Sequence, residues 1–327
     1  MDPLELKEQL RGIARELGFQ LFGVAPAARP DTLSAFQHWL QQGLHGELSY
    51  MERRQAAYEH PERVQQGVRS VIMLGAAYEP PARPPADDTF QPLAEQPRIA
   101  AYAQGSGDYH DVLRDRLKQL SEVLRAAVPG CRTRIAIDTA PLLERDFARR
   151  AGLGWFGKNT MLINKRIGSY FFVAGLLTDL ELPPDPPHAG QHCGNCTRCL
   201  EACPTQAFPA PYVLDARRCI SALTIESRAA EFPAELESQI GNWVFGCDIC
   251  QEVCPWNRKA PATEIEEFRP QQRWLNPDLQ RWFELSPAEF SAEFEGSPLL
   301  RPGREGILRN AEIVLRNLGK PLPARED

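Results

Sequence analysis

Eight of the nine cysteines fall into a pattern that can hold metal. Cys193, Cys196, Cys199 and Cys203, followed by Pro204, spell C-x2-C-x2-C-x3-C-P. Bacterial ferredoxins use this run for [4Fe–4S] clusters. Three thiolates at that spacing converge on one cubane. The fourth, across a turn that proline helps to fix, points to a second cluster. A zinc ribbon would use two separated C-x2-C pairs instead. Cys247, Cys250 and Cys254, with Pro255, repeat the last three positions of the run, and Cys219 is the candidate between the runs for the missing first position. Cross-ligation then completes two sets. Cys193, Cys196, Cys199 and Cys254 hold one cluster, and Cys203, Cys219, Cys247 and Cys250 hold the other. Cys131 is left over and reads as a small buried hydrophobe.

Two adjacent clusters relay single electrons and make no bonds, so a second site must receive the electrons. The N-terminal half is the place to expect it. No G-x-G-x-x-G follows a strand and no P-loop occurs, so flavin and nicotinamide sites have no motif support. Asp138 closes the stretch RTRIAIDT ahead of a Thr-Ala-Pro turn. A carboxylate at a strand's end faces a crevice in α/β architectures; the structural alternative is an N-cap of the next helix. GLGWFGKNT (152–160) carries three glycines around Trp155, then Lys158, Asn159 and Thr160. Close backbone approach to a large ligand explains such a stretch, and so does a plain tight turn.

The elements that must position these residues are legible from periodicity. Residues 3–18 place Leu6, Leu10, Ile13, Ala14 and Leu17 at helical spacing. Residues 108–128 do the same with Leu113, Leu117, Leu120 and Leu124. Residues 20–26, 68–78, 132–139 and 168–178 read as strands, and 142–154 as a helix ending at glycine. The segment 79–98 carries six prolines and reads as a surface loop. The alternation implies an α/β or α+β first domain. A proline-rich linker (181–192) precedes the cysteine segment, and two helical stretches joined at a Gly/Pro/Arg turn follow it. We therefore expect an α+β protein with an α/β domain at 1–180, a ferredoxin-like two-cluster domain at 181–260 and a short HEAT-like helical segment at 261–327.

Of the 327 residues, 43% are hydrophobic and 24% charged, an ordinary globular balance. No apolar run reaches membrane-spanning length, and the acid-bearing N-terminus is not a signal peptide. A cytoplasmic location follows as the expectation, with reduced thiols suited to metal. The net charge of -6 argues weakly against nucleic-acid binding. Its distribution is uneven: Arg132, Arg134, Arg145, Arg149, Arg150, Lys158, Lys165 and Arg166 face only Asp138, Glu144 and Asp146 across 131–175, and Arg301, Arg304, Arg309, Arg316 and Lys320 cluster later. Such runs are commonly solvated faces.

DTAPLLER (138–145), AGLGWFGKNTMLIN (151–164), CGNCTRCLEACPTQA (193–207), CISALTIE (219–226), GCDICQEVCPWN (246–257) and GREGILRNA (303–311) together resemble the epoxyqueuosine reductases, in order through nearly the whole chain. The resemblance implies removal of the epoxide oxygen from epoxyqueuosine at the tRNA wobble position, the last step of queuosine synthesis. It implies cobalamin and two [4Fe–4S] clusters, a kinship with reductive dehalogenases, a tRNA substrate and an external electron donor of unknown identity. It makes Asp138 the proton donor, with a carboxyl pKa raised beside the corrin. It places Lys158, Asn159 and Thr160 against the corrin's amides or nucleotide tail. It sets Ser221, Gly246 and Cys247, with Asp138, along the corrin where it meets the clusters. YAQGSGDYH (102–110) resembles a segment of the family near the active site, and the basic clusters become candidates for tRNA phosphates. Tyr58 stands where the family usually has a basic residue, three positions before Pro61. The C-terminal helices number fewer than in longer relatives, and a monomer is expected. A dehalogenase-like reductase of a small molecule shares the metals but usually carries an export signal. A ferredoxin with an added binding domain is the reading from another class. Corrinoid binding and nucleoside analysis of tRNA separate the three.

Overall fold

The structure, a computed structural model, describes residues 2–79 and 95–323. Most of the proline-rich stretch expected to loop at 79–98 lies outside the described residues. Helix α1 (Pro3–Glu16) leads into strand β1 (Leu21–Pro26), then α2 (Leu33–Gln41) and α3 (Ser49–Arg53). Strand β2 (Ser70–Ala77) and the short β3 (Arg98–Ile99) precede the long helix α4 (Tyr109–Ala127). Strand β4 (Thr133–Ala136), α5 (Glu144–Arg150), the hairpin of β5 (Trp155–Phe156) and β6 (Leu162–Ile163), and β7 (Phe171–Thr178) complete the first part.

One four-stranded sheet, in the order β1-β2-β7-β4, organises this part. Every pairing in it is antiparallel. The expected α/β domain is thus an antiparallel α+β layer. Alternating helices and strands along a chain are common to both classes, and the direction of pairing has no signature in the periodicity. The sheet is covered on both faces, so β2 is buried along its whole length. Leu6, Leu10 and Ala14 of α1 and Leu113, Leu117, Leu120 and Leu124 of α4 pack on one face, against Val24, Ile72, Leu74 and Leu176. Phe147 and Ala148 of α5 cover the other, against Leu21, Val71, Met73 and Leu177. Each such leucine contributes about 1.5–3 kcal/mol by leaving water.

The cysteine segment contains only short elements: α6 (Arg198–Glu201), α7 (Ile220–Ile225), α8 (Ala234–Ile240), β8 (Trp243–Phe245) and α9 (Ile249–Glu252). β8 pairs in parallel with β3, joining this segment to the chain ahead of α4. Helices α10 (Gln272–Leu275), α11 (Leu279–Glu284), α12 (Pro287–Glu293) and α13 (Gly303–Asn317) follow. They share one hydrophobic cluster with Ile99, Val244 and Phe245. The final helices, expected to stand as a helical-repeat unit, are thus packed into the body of the protein. Buried Asn310 of α13 donates from Nδ2 to the carbonyls of Thr224 (2.7 Å) and Val244 (3.0 Å), holding α7 to β8. No helix among the described residues is long and apolar enough to cross a membrane.

Candidate active site and cysteine centres

Cys193, Cys196, Cys199 and Cys254 line one cavity of about 260 Å3, together with Lys158, His192 and Trp256. These four are the first set expected from cross-ligation. Among the described residues no three of His, Cys, Asp or Glu close at the spacing of a single ion. The four thiols line this cavity together, as a cluster held by all four requires. Burial pushes the Cys199 and Cys254 thiols up to about 11, and the neighbouring cysteines of the set add to the shift. Cluster binding at neutral pH would therefore release protons from this cavity.

Cys219, Cys247 and Cys250 lie within electrostatic reach of one another, and Cys203 acts on Cys219 and Cys250. Burial raises Cys247 and Cys250 well above the usual thiol value; Cys250 adds to the first shift, and Cys219 and Cys203 add to the second. Cys219 is the N-cap of α7; burial raises its thiol, and the nearby N–H groups of Ala222 and Ser221 offset part of that. Cys131 is half-buried against the α1–α4 layer, with Sγ 3.8 Å from the Leu124 carbonyl.

Lys158 and Asn159 hold the cysteine segment directly. Lys158 Nζ donates to the carbonyls of Gly194 (2.8 Å) and Cys196 (2.9 Å), and Asn159 Nδ2 donates to that of Cys250 (3.2 Å). The turn after β5 thereby ties the two cysteine runs together. Thr160 follows in the left-handed backbone region at φ 64°, and its carbonyl accepts from Arg145 Nη1 at 2.6 Å.

Asp138 lies between β4 and α5 with φ at 50°. It caps no helix, for the N-cap of α5 is Leu143. In an antiparallel sheet the strand-end crevice argument no longer applies. The loop positions the carboxyl instead: the Asp138 N–H donates to Glu144 Oε1 at 2.7 Å, and exposed Arg54 donates to the Thr139 carbonyl at 3.0 Å. A non-glycine residue in this region costs about 1–3 kcal/mol, a strain that persists at functional sites.

The side chain of Asp138 is 65% exposed, yet it is ringed by polar groups. Tyr109 Oη donates to its Oδ2 at 2.7 Å, and His110 Nε2 lies 3.4 Å from the same oxygen. On its other side His110 Nδ1 meets Asp108 Oδ1 at 2.8 Å. Asp108 is also the N-cap of α4 and accepts the His110 backbone N–H at 2.9 Å. The rise expected for the Asp138 carboxyl belongs to the corrin-bound site; the protein's own groups act in the other direction. Desolvation by the surrounding protein pushes it up, but the nearby His110 imidazole, the Tyr109 hydroxyl and the charge of Arg145 outweigh that and hold it below the usual range. His110 moves the opposite way: burial lowers it, but the two carboxylates raise it to about 9. Glu144 is raised to about 8, by burial first and by Asp138 second. The local sequence DYH supplies three of these groups, but nothing in it shows that Asp138 completes them.

Further residues gather around this carboxyl. Glu226 and Arg301 form a two-point ion pair, Nε–Oε1 at 3.2 Å and Nη2–Oε2 at 3.1 Å. Their charges and that of Asp138 all bear on Tyr50, whose hydroxyl is pushed up to about 12 by burial first. Tyr58 is buried and packs on Phe36, with ring centroids 4.9 Å apart. The late basic cluster is largely engaged: Arg309 is buried and donates to the carbonyls of Ser227, Ala229 and Leu223. Arg316 pairs with Glu237. In the earlier run Arg150 is buried, Arg132 pairs with Asp179 and Arg149 with Asp31, while Arg134, Lys165 and Arg166 are exposed.

Tyr102 connects the acid site to the second cysteine set. It feels the charges of both Asp138 and Asp248, and it stands 5.8 Å from the Tyr109 ring and 6.0 Å from that of Phe245. Gly246, at φ 67°, has no room for a side chain: a Cβ would come within 2.5 Å of the Ala100 Cβ and 3.4 Å of the Tyr102 ring. Half-exposed Ser221 lies two residues beyond Cys219. A corrin needs an apolar, aromatic floor, a polar rim and close access to an electron source. The adjacent rings of Tyr102 and Tyr109, with Asp138 at the Tyr109 hydroxyl, supply an aromatic floor and a polar rim of that kind.

An antiparallel α+β layer bearing an acid–imidazole site, coupled to eight cysteines in two sets, defines an iron–sulfur oxidoreductase. The model of the 4Fe-4S double cluster binding domain matches residues 192–257, and that of Epoxyqueuosine reductase QueG, DUF1730 matches 59–139. The chain is similar to the epoxyqueuosine reductase of Pseudomonas aeruginosa, with 43% identity over 99% of this chain and 89% of the relative. It is also similar to that of Xanthomonas campestris, with 40% identity over 100% and 90%. Among solved structures it resembles epoxyqueuosine reductase with an epoxyqueuosine-modified tRNA-Tyr stem loop, at TM-score 0.84 and 32% identity over 96% of this chain and 82% of that one. It also resembles the Bacillus subtilis enzyme with its aspartate catalytic loop swung out of the active site, at TM-score 0.82 and 31% identity over the same shares, 96% and 82%. This chain belongs to the epoxyqueuosine reductase family.

Proposed function

We propose that this chain reduces epoxyqueuosine to queuosine at the wobble position of tRNA, in the cytoplasm and as a monomer. The observation that carries the reading is Asp138, held on a strained loop by Tyr109, His110 and Glu144 at the open end of an aromatic floor whose other end is the cysteine segment. A relative with a swung-out aspartate catalytic loop supports assigning the same role to this loop.

The reaction converts an epoxide to an alkene: two electrons and two protons enter, both C–O bonds break and water leaves. Asp138 donates a proton to the oxygen as C–O cleavage begins. Such general acid help is worth about 100–10,000-fold. Tyr109 holds the carboxyl's orientation, and Arg54 fixes the loop behind it. Cys193, Cys196, Cys199 and Cys254 would hold one [4Fe–4S] cluster; Cys203, Cys219, Cys247 and Cys250 would hold the other. Cobalamin would lie along Tyr102, Gly246, Ser221 and Cys247, with Thr160 nearby and Lys158 and Asn159 supporting from the cluster side. Bound there, the cofactors supply electrons one at a time, from an external donor, to the substrate carbon. The chain's own residues bind the anticodon loop, keep the oxygen against Asp138 and limit water at the site. Exposed Arg134, Lys165 and Arg166 are the phosphate contacts the charge distribution favours. In function the chain divides into a substrate and corrin part (1–180), a relay (181–260) and a helical brace (261–327).

The test is nucleoside analysis of epoxyqueuosine-containing tRNA after incubation with reconstituted protein, with and without cobalamin. Conversion that requires cobalamin supports the reading. Corrinoid binding without conversion contradicts the tRNA substrate.

A further inference from the structure

Epoxide reduction to an alkene uses two protons, and one carboxyl delivers one at a time. The groups around Asp138 form a chain that leads away from it. Asp108 Oδ1 holds His110 Nδ1 at 2.8 Å, which fixes the ring so that Nε2 faces Asp138 Oδ2 at 3.4 Å. The His110 Nε2 atom is buried and has no hydrogen-bond partner at ordinary geometry. Its separation from Asp138 is long for a hydrogen bond, as catalytic contacts often are before substrate binds. The His110 ring is held by stacking on Tyr109, with centroids 4.0 Å apart. Tyr109 in turn occupies the same carboxylate oxygen through its hydroxyl.

We propose that the Asp108–His110 pair is a proton relay that recharges Asp138 within one turnover and so supplies the second proton of the reaction. Asp138 gives its proton to the epoxide oxygen as the first C–O bond breaks. His110 then passes the Nε2 proton to Asp138 Oδ2, while its Nδ1–H keeps donating to Asp108. Asp138 protonates the oxygen again, which leaves as water when the second C–O bond breaks. The Asp138 carboxylate and the neutral imidazole each regain a proton from solvent after product release. His110 and Asp108 act through Asp138, and are thus relay and positioning residues. The groups facing the ring are Asp108, Tyr109, Asp138 and Glu144, with Arg114 acting on Asp108 and Arg145 on Asp138. Their balance raises the imidazole to about 9, so the reservoir is charged at neutral pH. The inference rests on Asp138 being the proton donor.

Two measurements test it. The first is carbon-13 histidine NMR on the full protein, which has six histidines to resolve. The His110 signal is expected to titrate near 9, and Asp108→Asn to move it toward the ordinary imidazole value of about 6.5. A wild-type midpoint already near that value overturns the relay. The second is single-turnover conversion against pH. Wild type is expected to stay level to about pH 9. His110→Gln, which keeps a donor beside Asp138, is expected to lose about 10–100-fold at neutral pH and to slow further as pH rises. A His110→Gln variant with the wild-type rate and pH profile, beside an inactive Asp138→Asn, overturns the relay and leaves the donor standing. An active Asp138→Asn overturns the donor reading itself.

Discussion

Asp138 does three things that depend on one backbone conformation. At φ 50° its N–H reaches Glu144, its carboxyl reaches Tyr109 and His110, and the Thr139 carbonyl is left for Arg54. Asp138→Asn keeps the size and the tolerance for this region, so folding, iron content and cobalamin binding are expected to persist. Single-turnover rate should fall by about 100-fold or more; a near-normal rate contradicts the assignment. The same cluster makes stability depend on pH. His110 is raised to about 9 when folded, against about 6.5 when unfolded, so it contributes stability that is fully present below pH 6.5 and lost as pH rises through 9. The melting temperature of wild type should therefore exceed that of His110→Gln most near pH 6, with the gap closing by pH 9. The cysteines were legible at this scale because sulfur spacing along the chain is itself the recognition signal. The contacts of Lys158 and Asn159 to the cysteine runs were not, because the carbonyls they hold lie 36 to 91 residues away.

Short elements do the positioning, and long ones supply the stability. Cys219, the N-cap of α7, lies 28 positions before Cys247, the first cysteine of the second run. Cys219→Ala should remove one of two cluster signals in EPR and about half of the iron. Two intact clusters contradict the ligand partition. Leu117→Ala in α4 should lower folding stability by about 2–5 kcal/mol in urea titration, through the cavity left against the sheet. Strands and the long helices follow from periodicity, since burial on one face leaves its period in the sequence. Pairing direction leaves none, and so the antiparallel sheet was not foreseen. The burial of α13 was also missed: its apolar stripe says that something covers it, not that β8 and α7 do.

Across the whole molecule, charge is less available than the sequence suggests. The chain carries a net charge of -6, and many of its clustered arginines are paired or hold carbonyls. Recognition of tRNA must then rest on few phosphate contacts and on the shape of the cleft around Asp138. If Arg134, Lys165 and Arg166 provide them, the logarithm of affinity should fall with the logarithm of salt at a slope of about -2. A slope near zero contradicts a phosphate role for these residues. Tyr102 has Tyr109 of the acid site on one side and Phe245 and Gly246, next to Cys247, on the other, from segments far apart in sequence. The most direct measurement is mass spectrometry of nucleosides from epoxyqueuosine-containing tRNA, treated with the reduced, cluster-loaded protein and cobalamin. The expected result is queuosine in place of epoxyqueuosine with wild type and unchanged epoxyqueuosine with Asp138→Asn. Unchanged epoxyqueuosine with wild type, its clusters and corrinoid verified in place, contradicts the function assigned to this chain.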